Sequence, residues 1–316
     1  MATTKLTLLD IAKRSNNDAY VGLVESLTQS NKLLENIPVR TIVGNNIKVK
    51  RRRSLPTTSR RALDAGVAPT KSVIDNVLYE TKIYESRAFV EQAVAMLAPE
   101  GINALRDEEA TAHLAAMGNM LNSDFFYGAG STNPLQVDGL ATILPTTAVS
   151  TVQTGTGATG VSTSLYFVSF RDATSPQGRR KGVELLQTAG FELKAEDMGL
   201  VKNLDDGGTN YIWGYETRIW TMAGLAVYDT QSVGRYRGLT SAIAPTAAGI
   251  DAILTAMLPF QCDAIYANRT GLNLIKGLKS TITYYPADTE LKVAPASYDG
   301  IPIYFDENIT DTEVLA

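Results

Sequence analysis

Four apolar residues, Leu114, Met117, Leu121 and Phe125, recur at steps of three, four and four. That spacing places them on one face of a helix. The opposite face carries Arg106, Asp107, Glu108, Glu109 and Asn122. Pro99 and Glu100 suit a helix start, and Asp124 followed by Phe-Phe-Tyr-Gly suits an end that plugs into a core. Twenty or so helical residues would span roughly 30 Å. An amphipathic helix of that length, uninterrupted by proline, predicts a spine on which other elements pack.

The rest of the pattern is organised around that spine. Tyr20, Leu23, Val24 and Leu27 follow helical spacing, so residues 7–36 read as two short helices broken at Asn16-Asn17-Asp18. Their apolar content suits an arm lying on a neighbour rather than a core of its own. Residues 39–49 alternate like a strand, and residues 72–92 are rich in β-formers such as Val73, Val77, Tyr79, Ile83 and Phe89. Between them Pro, Thr and Ser predict a long hairpin-like excursion. A two-stranded hairpin cannot bury itself and must cover something. Residues 128–163 are low in charge and read as a flexible connector, with a boundary near residue 140. SLYFVSF (164–170) predicts a buried strand, Asp205-Asp206-Gly207-Gly208 a hairpin turn, and 246–258 and 270–278 helices. DGIPIYF (299–305) reads as a turn and strand, followed by an acidic tail.

Charge sharpens the picture of the excursion. Residues 1–61 hold twelve Lys/Arg and four Asp/Glu, a net of +8, and the remainder carries −12 within a total of −4. Lys50, Arg51, Arg52, Arg53, Arg60 and Arg61 concentrate in the hairpin, where no acid occurs until Asp64. A basic arm on an acidic body points to self-association or to another polyanion. The 316 residues suffice for one large domain or two moderate ones, and no run of eighteen apolar residues spans a membrane. The start, MATTKLTLLDIAKRS, lacks the pattern of a signal peptide. The single cysteine, Cys262, excludes an internal disulfide framework and fits a reducing compartment.

Candidate chemistry is thin. Gly155-Thr-Gly157-Ala-Thr-Gly160 fits the GxGxxG dinucleotide pattern, but a β-run follows where the mechanism needs a helix. His113, the one histidine, has no Cys or second His beside it to complete a metal site. Cys262 lies in an apolar stretch that suits an inert thiol. No nucleophile-elbow motif and no phosphate loop occurs. The expectation is therefore no enzyme, no cofactor and no metal. The basic hairpin lacks the aromatic interleaving and the motifs of sequence-specific nucleic-acid binding.

The order of these elements resembles the major capsid proteins of tailed bacteriophages, which share the Hong Kong-type capsid fold. The resemblance rests on several stretches together. These are SLPTTSRRALDAGVAPTKS (54–72), the spine ending in FFYG (125–128), Asn133-Pro134, Gly139-Leu140, WTMAGLAVYD (220–229), GRYRGL (234–239), YANRTGLNLIKG (266–277) and DGIPIYFDENITDTEV (299–314). It implies an α+β fold with an N-arm (1–38), an extended loop (39–75), a peripheral domain with the spine helix (76–140), an axial domain (141–298) and a C-terminal strand and tail (299–316). It further implies hexamers and pentamers that tile an icosahedral shell around double-stranded DNA, in a virion assembled in the host cytoplasm. Expected partners are a separate scaffolding protein, a portal and a decoration or cement protein, with no membrane. The loop residues Lys50, Arg51, Arg52, Arg53, Arg60 and Arg61 are expected to meet acidic groups of an adjacent subunit, with Asp107, Glu108 and Glu109 as first candidates. An encapsulin-like nanocompartment and a basic-armed nucleic-acid-binding protein are the alternative readings.

Overall fold

The computed structural model describes residues 31–146, 149–175, 178–204, 210–278, 282–283 and 297–314; the side chains of 51–54, 175, 178–179 and 282–283 lie outside that description. The two helices expected across 7–36 fall mostly outside the described residues, as does the turn at Asp205 to Gly208. Only α1 (Lys32–Asn36) of the arm is described, and its Leu33 and Leu34 are buried.

The spine forms as α3 (Ile102–Tyr127), 26 residues long, or about 39 Å at 1.5 Å per residue. It starts slightly later than the sequence suggests, because Gly101 at φ 93° takes the position before the first turn. Leu114, Met117, Leu121 and Phe125 are all buried, as their spacing predicts, and Phe126 joins them. Asn122 is a correction. It is fully buried rather than solvated, because the second half of the helix is enclosed on more than one side. After the helix, Gly128 and Gly139 bring the chain back against its end, with Gly139 N–H donating to Gly128 O at 2.8 Å. A Cβ on Gly128 would stand 2.2 Å from the Val137 carbonyl oxygen, so only glycine fits there.

One sheet is built on β11 (Tyr211–Val227), a strand of 17 residues. On one edge lies β4 (Lys82–Glu91), registered from Gly214↔Glu91 to Ala223↔Lys82. On the other edge lie β10 (Lys194–Leu204) and then β9 (Val183–Thr188), both antiparallel to β11. The strand β1 (Val39–Ile42) adds to β9 in parallel. The spine helix packs on β4 and β11. Short α2 (Gln92–Leu97) joins β4 to the spine, and α4 (Leu140–Ile143) follows it.

The second sheet has seven strands. Within it β6 (Thr163–Val168) lies between β12 (Val233–Leu239) and β13 (Ala264–Ala267). The strand β5 (Val152–Thr154) lies at one edge; β16 (Ile301–Phe305), β15 (Ser297–Tyr298) and β14 (Ile282–Thr283) continue the other. Every residue of β6 is buried, because both faces of the sheet are covered. Leu165 and Phe167 meet α5 (Ala247–Met257) and α6 (Arg269–Lys276) through Ile250, Ile253, Leu272 and Ile275. Tyr166 and Val168 belong instead to the core that holds Phe125 and Phe126. The alternation of period two along one strand thus ties the sheet to its own helices and to the spine. A small β7–β8 hairpin (Ala173–Ser175 and Gly178–Arg180) stands apart.

The stretch at Gly155 and Gly157 is not a flexible connector. Its N–H groups donate to Arg237 O at 2.8 Å and Gly238 O at 3.0 Å, continuing the β5–β12 contact. A Cβ at either glycine would lie 2.5 Å from Gly238 O. These glycines serve close backbone approach.

Candidate assembly interface and buried charge centre

The basic excursion is a two-stranded ribbon. Its strands, β2 (Asn46–Ser54) and β3 (Val73–Glu80), pair from Asn46↔Glu80 to Ser54↔Val73. Residues 55–71 at its tip are exposed throughout. Among the described residues the tip closes on itself: Arg61 Nη1 donates to Ala65 O at 3.0 Å and Thr70 Oγ1 to Thr57 O at 2.8 Å. Leu63 there is 97% exposed. The base is firmly attached. Tyr79 donates to Val227 O and packs edge-on against Tyr228 at 5.7 Å between ring centroids. Thr81 and Thr188 share a hydroxyl contact of 2.9 Å, and Ile47 and Val49 pack on Ile42 and Leu186. The ribbon is therefore rooted at one end and uncovered at the other.

Lys50, Arg60 and Arg61 are exposed on this ribbon. The backbones of Arg51, Arg52 and Arg53 lie in β2, with their side chains outside the described residues. Asp107, Glu108 and Glu109 are exposed on the first half of the spine. Among the described residues, none of Lys50, Arg60 and Arg61 pairs with these acids within the chain.

Beside the acids runs a groove between α3 and the β10–β11 pair, lined by Asn103, Asp107, Ala110, Asp197 and Thr217. Arg106, placed by its spacing on the solvated face, leans into this groove. It pairs with Asp197 and lies over the Tyr215 ring at 5.1 Å. The hydrogen bond from Arg106, with that from Gly199 N–H, holds the Asp197 carboxyl below the usual range.

The most heavily satisfied charges lie elsewhere, under the C-terminal segment. Glu313 and Arg235 pair at 3.0 Å with side chains 1% and 3% exposed. Arg235 Nε donates to Ser164 Oγ at 3.1 Å and Nη1 to the carbonyls of Leu144 and Ala141 at 3.1 and 3.4 Å. Glu313 Oε1 accepts from Tyr127 at 2.6 Å and from Tyr166 at 3.0 Å, and Ser164 donates to Oε2. Burial, followed by the neighbouring Glu313 charge, pushes the Tyr127 hydroxyl well above its ordinary value.

A second buried polar centre joins the spine to β16. Asn122 Nδ2 donates to both oxygens of Asp306, at 3.0 and 2.8 Å, and to Asn31 Oδ1 at 3.2 Å. Two residues along the helix, Tyr84 donates to Asp124 Oδ2 at 2.9 Å and Gln136 to Oδ1 at 3.1 Å. Burial raises the pKa of both Asp124 and Asp306.

Sequence reasoning missed Glu313, taken as part of an acidic tail, and Arg235. Nothing in the local sequence marks Arg235, which shares the strand VGRYRGL with a second arginine, Arg237.

The two remaining reactive residues occupy plain structural settings. His113 Nδ1 lies 2.7 Å from Ser86 Oγ. Desolvation pushes the Cys262 thiol up to about 12, against the reactive direction. Among the described residues, no helix is long and apolar enough to cross a membrane.

A spine helix laid on one sheet, a second sheet fused to it and a rooted ribbon reaching outward make up the Hong Kong-type capsid fold. Solved structures share this fold. The bacteriophage Epsilon15 structure superposes with a TM-score of 0.64 at 20% identity, covering 87% of each chain. The bacteriophage JBD30 capsid gives 0.52 at 11% identity, over 90% of this chain and 92% of that one. A SrpI encapsulin from Synechococcus elongatus gives 0.41 at 7% identity, over 66% and 87%. No curated protein matches the sequence. The family model described as Major capsid protein GP7 matches residues 15–315, and the chain belongs to that family. It is a tailed-phage major capsid protein, a virion component whose copies associate into the capsomers of a shell.

Proposed function

We propose that copies of this chain form hexamers and pentamers that close an icosahedral shell around packaged double-stranded DNA, with the loop at 39–75 lying across a neighbouring subunit. The observation that carries this reading is the rooted, uncovered ribbon. It presents Lys50, Arg60 and Arg61, while Asp107, Glu108 and Glu109 are exposed beside the groove along α3. The two patches are complementary between copies, and Arg51, Arg52 and Arg53 belong to the same basic set. Each exposed ion pair contributes only ~0–1 kcal/mol. Repetition and geometric closure turn such small terms into a stable shell.

In this reading residues 76–140 form the peripheral domain and 141–298 the axial domain, with β9–β11 of the latter completing the sheet under the spine and β16 of the C-terminal segment joining the seven-stranded sheet. The subunit has no catalytic step. A scaffolding protein guides assembly in the host cytoplasm, a portal occupies one vertex, and a decoration protein binds the finished surface. The DNA is held without sequence preference.

Negative-stain imaging and sedimentation of the purified chain, with and without a candidate scaffolding protein, test the reading. Rings of five and six subunits or uniform closed shells support it, and nuclease-protected DNA inside particles from infected cells supports the genome role. A persistent monomer overturns it, and particles filled with a protein cargo indicate a nanocompartment instead.

A further inference from the structure

Besides the Asp306–Asn122 contact, the C-terminal segment is fastened along its length. Ile309 sits in the main apolar core. Asp311 accepts from Asn268 Nδ2 at 2.7 Å and Thr270 Oγ1 at 3.0 Å, at the start of α6. Glu313 lies under Arg235, and its backbone is stitched to the chain before β6 by Glu313 N–H to Ser162 O at 3.0 Å and Gly160 N–H to Glu313 O at 2.8 Å.

Among the described residues, Glu313 is the one carboxylate paired with Arg235. The other groups on that guanidinium are two backbone carbonyls and the Ser164 hydroxyl, which solvate the charge without neutralising it. Arginine does not shed its proton in a protein interior. The counter-ion lies 78 positions further along the chain, in a segment that adds no strand to either sheet. Without it, β12, the strand next to the edge strand β5 of the seven-stranded sheet, holds an uncompensated buried cation. The same carboxylate also holds the end of the spine: Tyr127 donates to Glu313 and accepts from Thr310 N–H at 3.1 Å. One rigid helix then connects this point to the exposed acids at 107–109.

We propose that the segment 306–314 is a clasp whose docking makes the subunit competent to assemble, with Glu313 as the obligatory counter-ion of Arg235. A subunit with the clasp open has an unsettled sheet and a free spine end, and it does not enter the shell. The assembly half of this inference rests on the shell reading above; the clasp itself does not.

The test uses full-length Glu313→Gln, Arg235→Met and the double variant. Isolated subunits are read by thermal unfolding and by limited proteolysis of the segment, and the same preparations are read for shell yield. Each single change leaves one charge buried and unpaired, so the unfolding equilibrium shifts by roughly a hundredfold or more. The segment then becomes cleavable and shell yield falls with it. The double variant removes both charges and keeps an acceptor for Tyr127 and Tyr166, so it recovers most of the protease resistance and the yield. Single variants as resistant as the unaltered protein overturn the clasp. A double variant no better than the singles overturns the counter-ion role. Single variants with a cleavable segment but full shell yield overturn the assembly step. If the unaltered protein forms no shells, the shell reading and the assembly half fail together, while proteolysis still decides the clasp.

Discussion

Arg235 and the arginines of the β2–β3 ribbon carry the same charge in opposite surroundings. Arg235 is enclosed, with Glu313, Ser164 and two carbonyls around its guanidinium. Arg60 and Arg61 stand in the open at the tip of a ribbon rooted only at its base. The enclosed charge is satisfied within the chain, so its work is internal and breaking it unsettles the subunit. The open charges are in water, so removing them costs the isolated subunit almost nothing. Their value exists only when another surface arrives. On the shell reading, the open charges would act only between copies, whereas the enclosed pair would act on the subunit first and on assembly only through it.

The largest effect should come from breaking the enclosed pair. Arg235→Ala removes the cation and leaves the Glu313 carboxylate buried with only hydroxyl partners. Losing one member of a buried pair costs about 3–5 kcal/mol, a large share of the ~5–15 kcal/mol typical of a whole domain. Chemical denaturation of the isolated subunit measures it. A loss near that of a surface substitution would show that the two regions are not different in kind.

Tyr84→Phe should come next. It leaves Asp124 Oδ2 buried without the phenol that donates to it at 2.9 Å. An unmet buried acceptor costs about 1–3 kcal/mol. The apolar ring stays in place, so packing is preserved and the loss reads the hydrogen bond.

The line between what the sequence reveals and what it hides follows the same division. Leu114, Met117, Leu121 and Phe125 declared their face because burial of apolar groups repeats with the helix period. The ribbon was legible because a long Arg- and Pro-bearing stretch cannot pack inside. Asn122 and Glu313 were not legible, and each by type belonged on a surface. Their burial depends on partners far along the chain: Asp306 is 184 positions from Asn122, and Ser164 is 149 from Glu313. No local periodicity carries such a pairing. Gly155 and Gly157 were misread for a related reason. Glycine in a strand edge means close backbone approach or looseness, and only the neighbouring Gly238 decides between them.

A smaller effect separates two carboxylates, the buried Asp306 and the exposed Asp197, by sign of pH dependence. Burial raises Asp306, with donors from Asn122 and Asn308 acting against it. Its native form therefore binds a proton more tightly than the unfolded chain does. The stability it contributes is fully present below the unfolded aspartate value of about 3.9, and it is lost as pH rises through the folded value. Asp197 behaves oppositely, since the hydrogen bond from Arg106 lowers it. Its contribution is present above the unfolded value and lost as pH falls through the depressed one. Unfolding midpoints measured below and above a pH of about 3.9, compared with Asp306→Asn and Asp197→Asn, should give difference slopes of opposite sign, Asp197's below that value and Asp306's above it. Slopes of the same sign would contradict the assignment.

The smallest effect on the subunit should accompany the largest effect on assembly. Arg60→Glu with Arg61→Glu reverses two exposed charges at the ribbon tip. Arg61 loses a single hydrogen bond to Ala65 O in an already exposed turn, so subunit stability should change by less than about 0.5 kcal/mol. If the tip meets acids of a neighbour, like charges then face one another at every such contact in the shell. Closed particles should disappear from sedimentation profiles while the melting curve stays in place. The decisive step is compensation: Asp107→Lys, Glu108→Lys and Glu109→Lys in the same chain should return particles, because complementarity between copies is restored with its sign inverted. Rescue would place ribbon and spine against each other across a subunit boundary. Failure of rescue, with both parents folded, would keep the ribbon as an assembly element and move its partner to another acidic surface. Unchanged particles from the reversal alone would remove the ribbon's charge from assembly and leave its exposed Leu63 as the residue to test next.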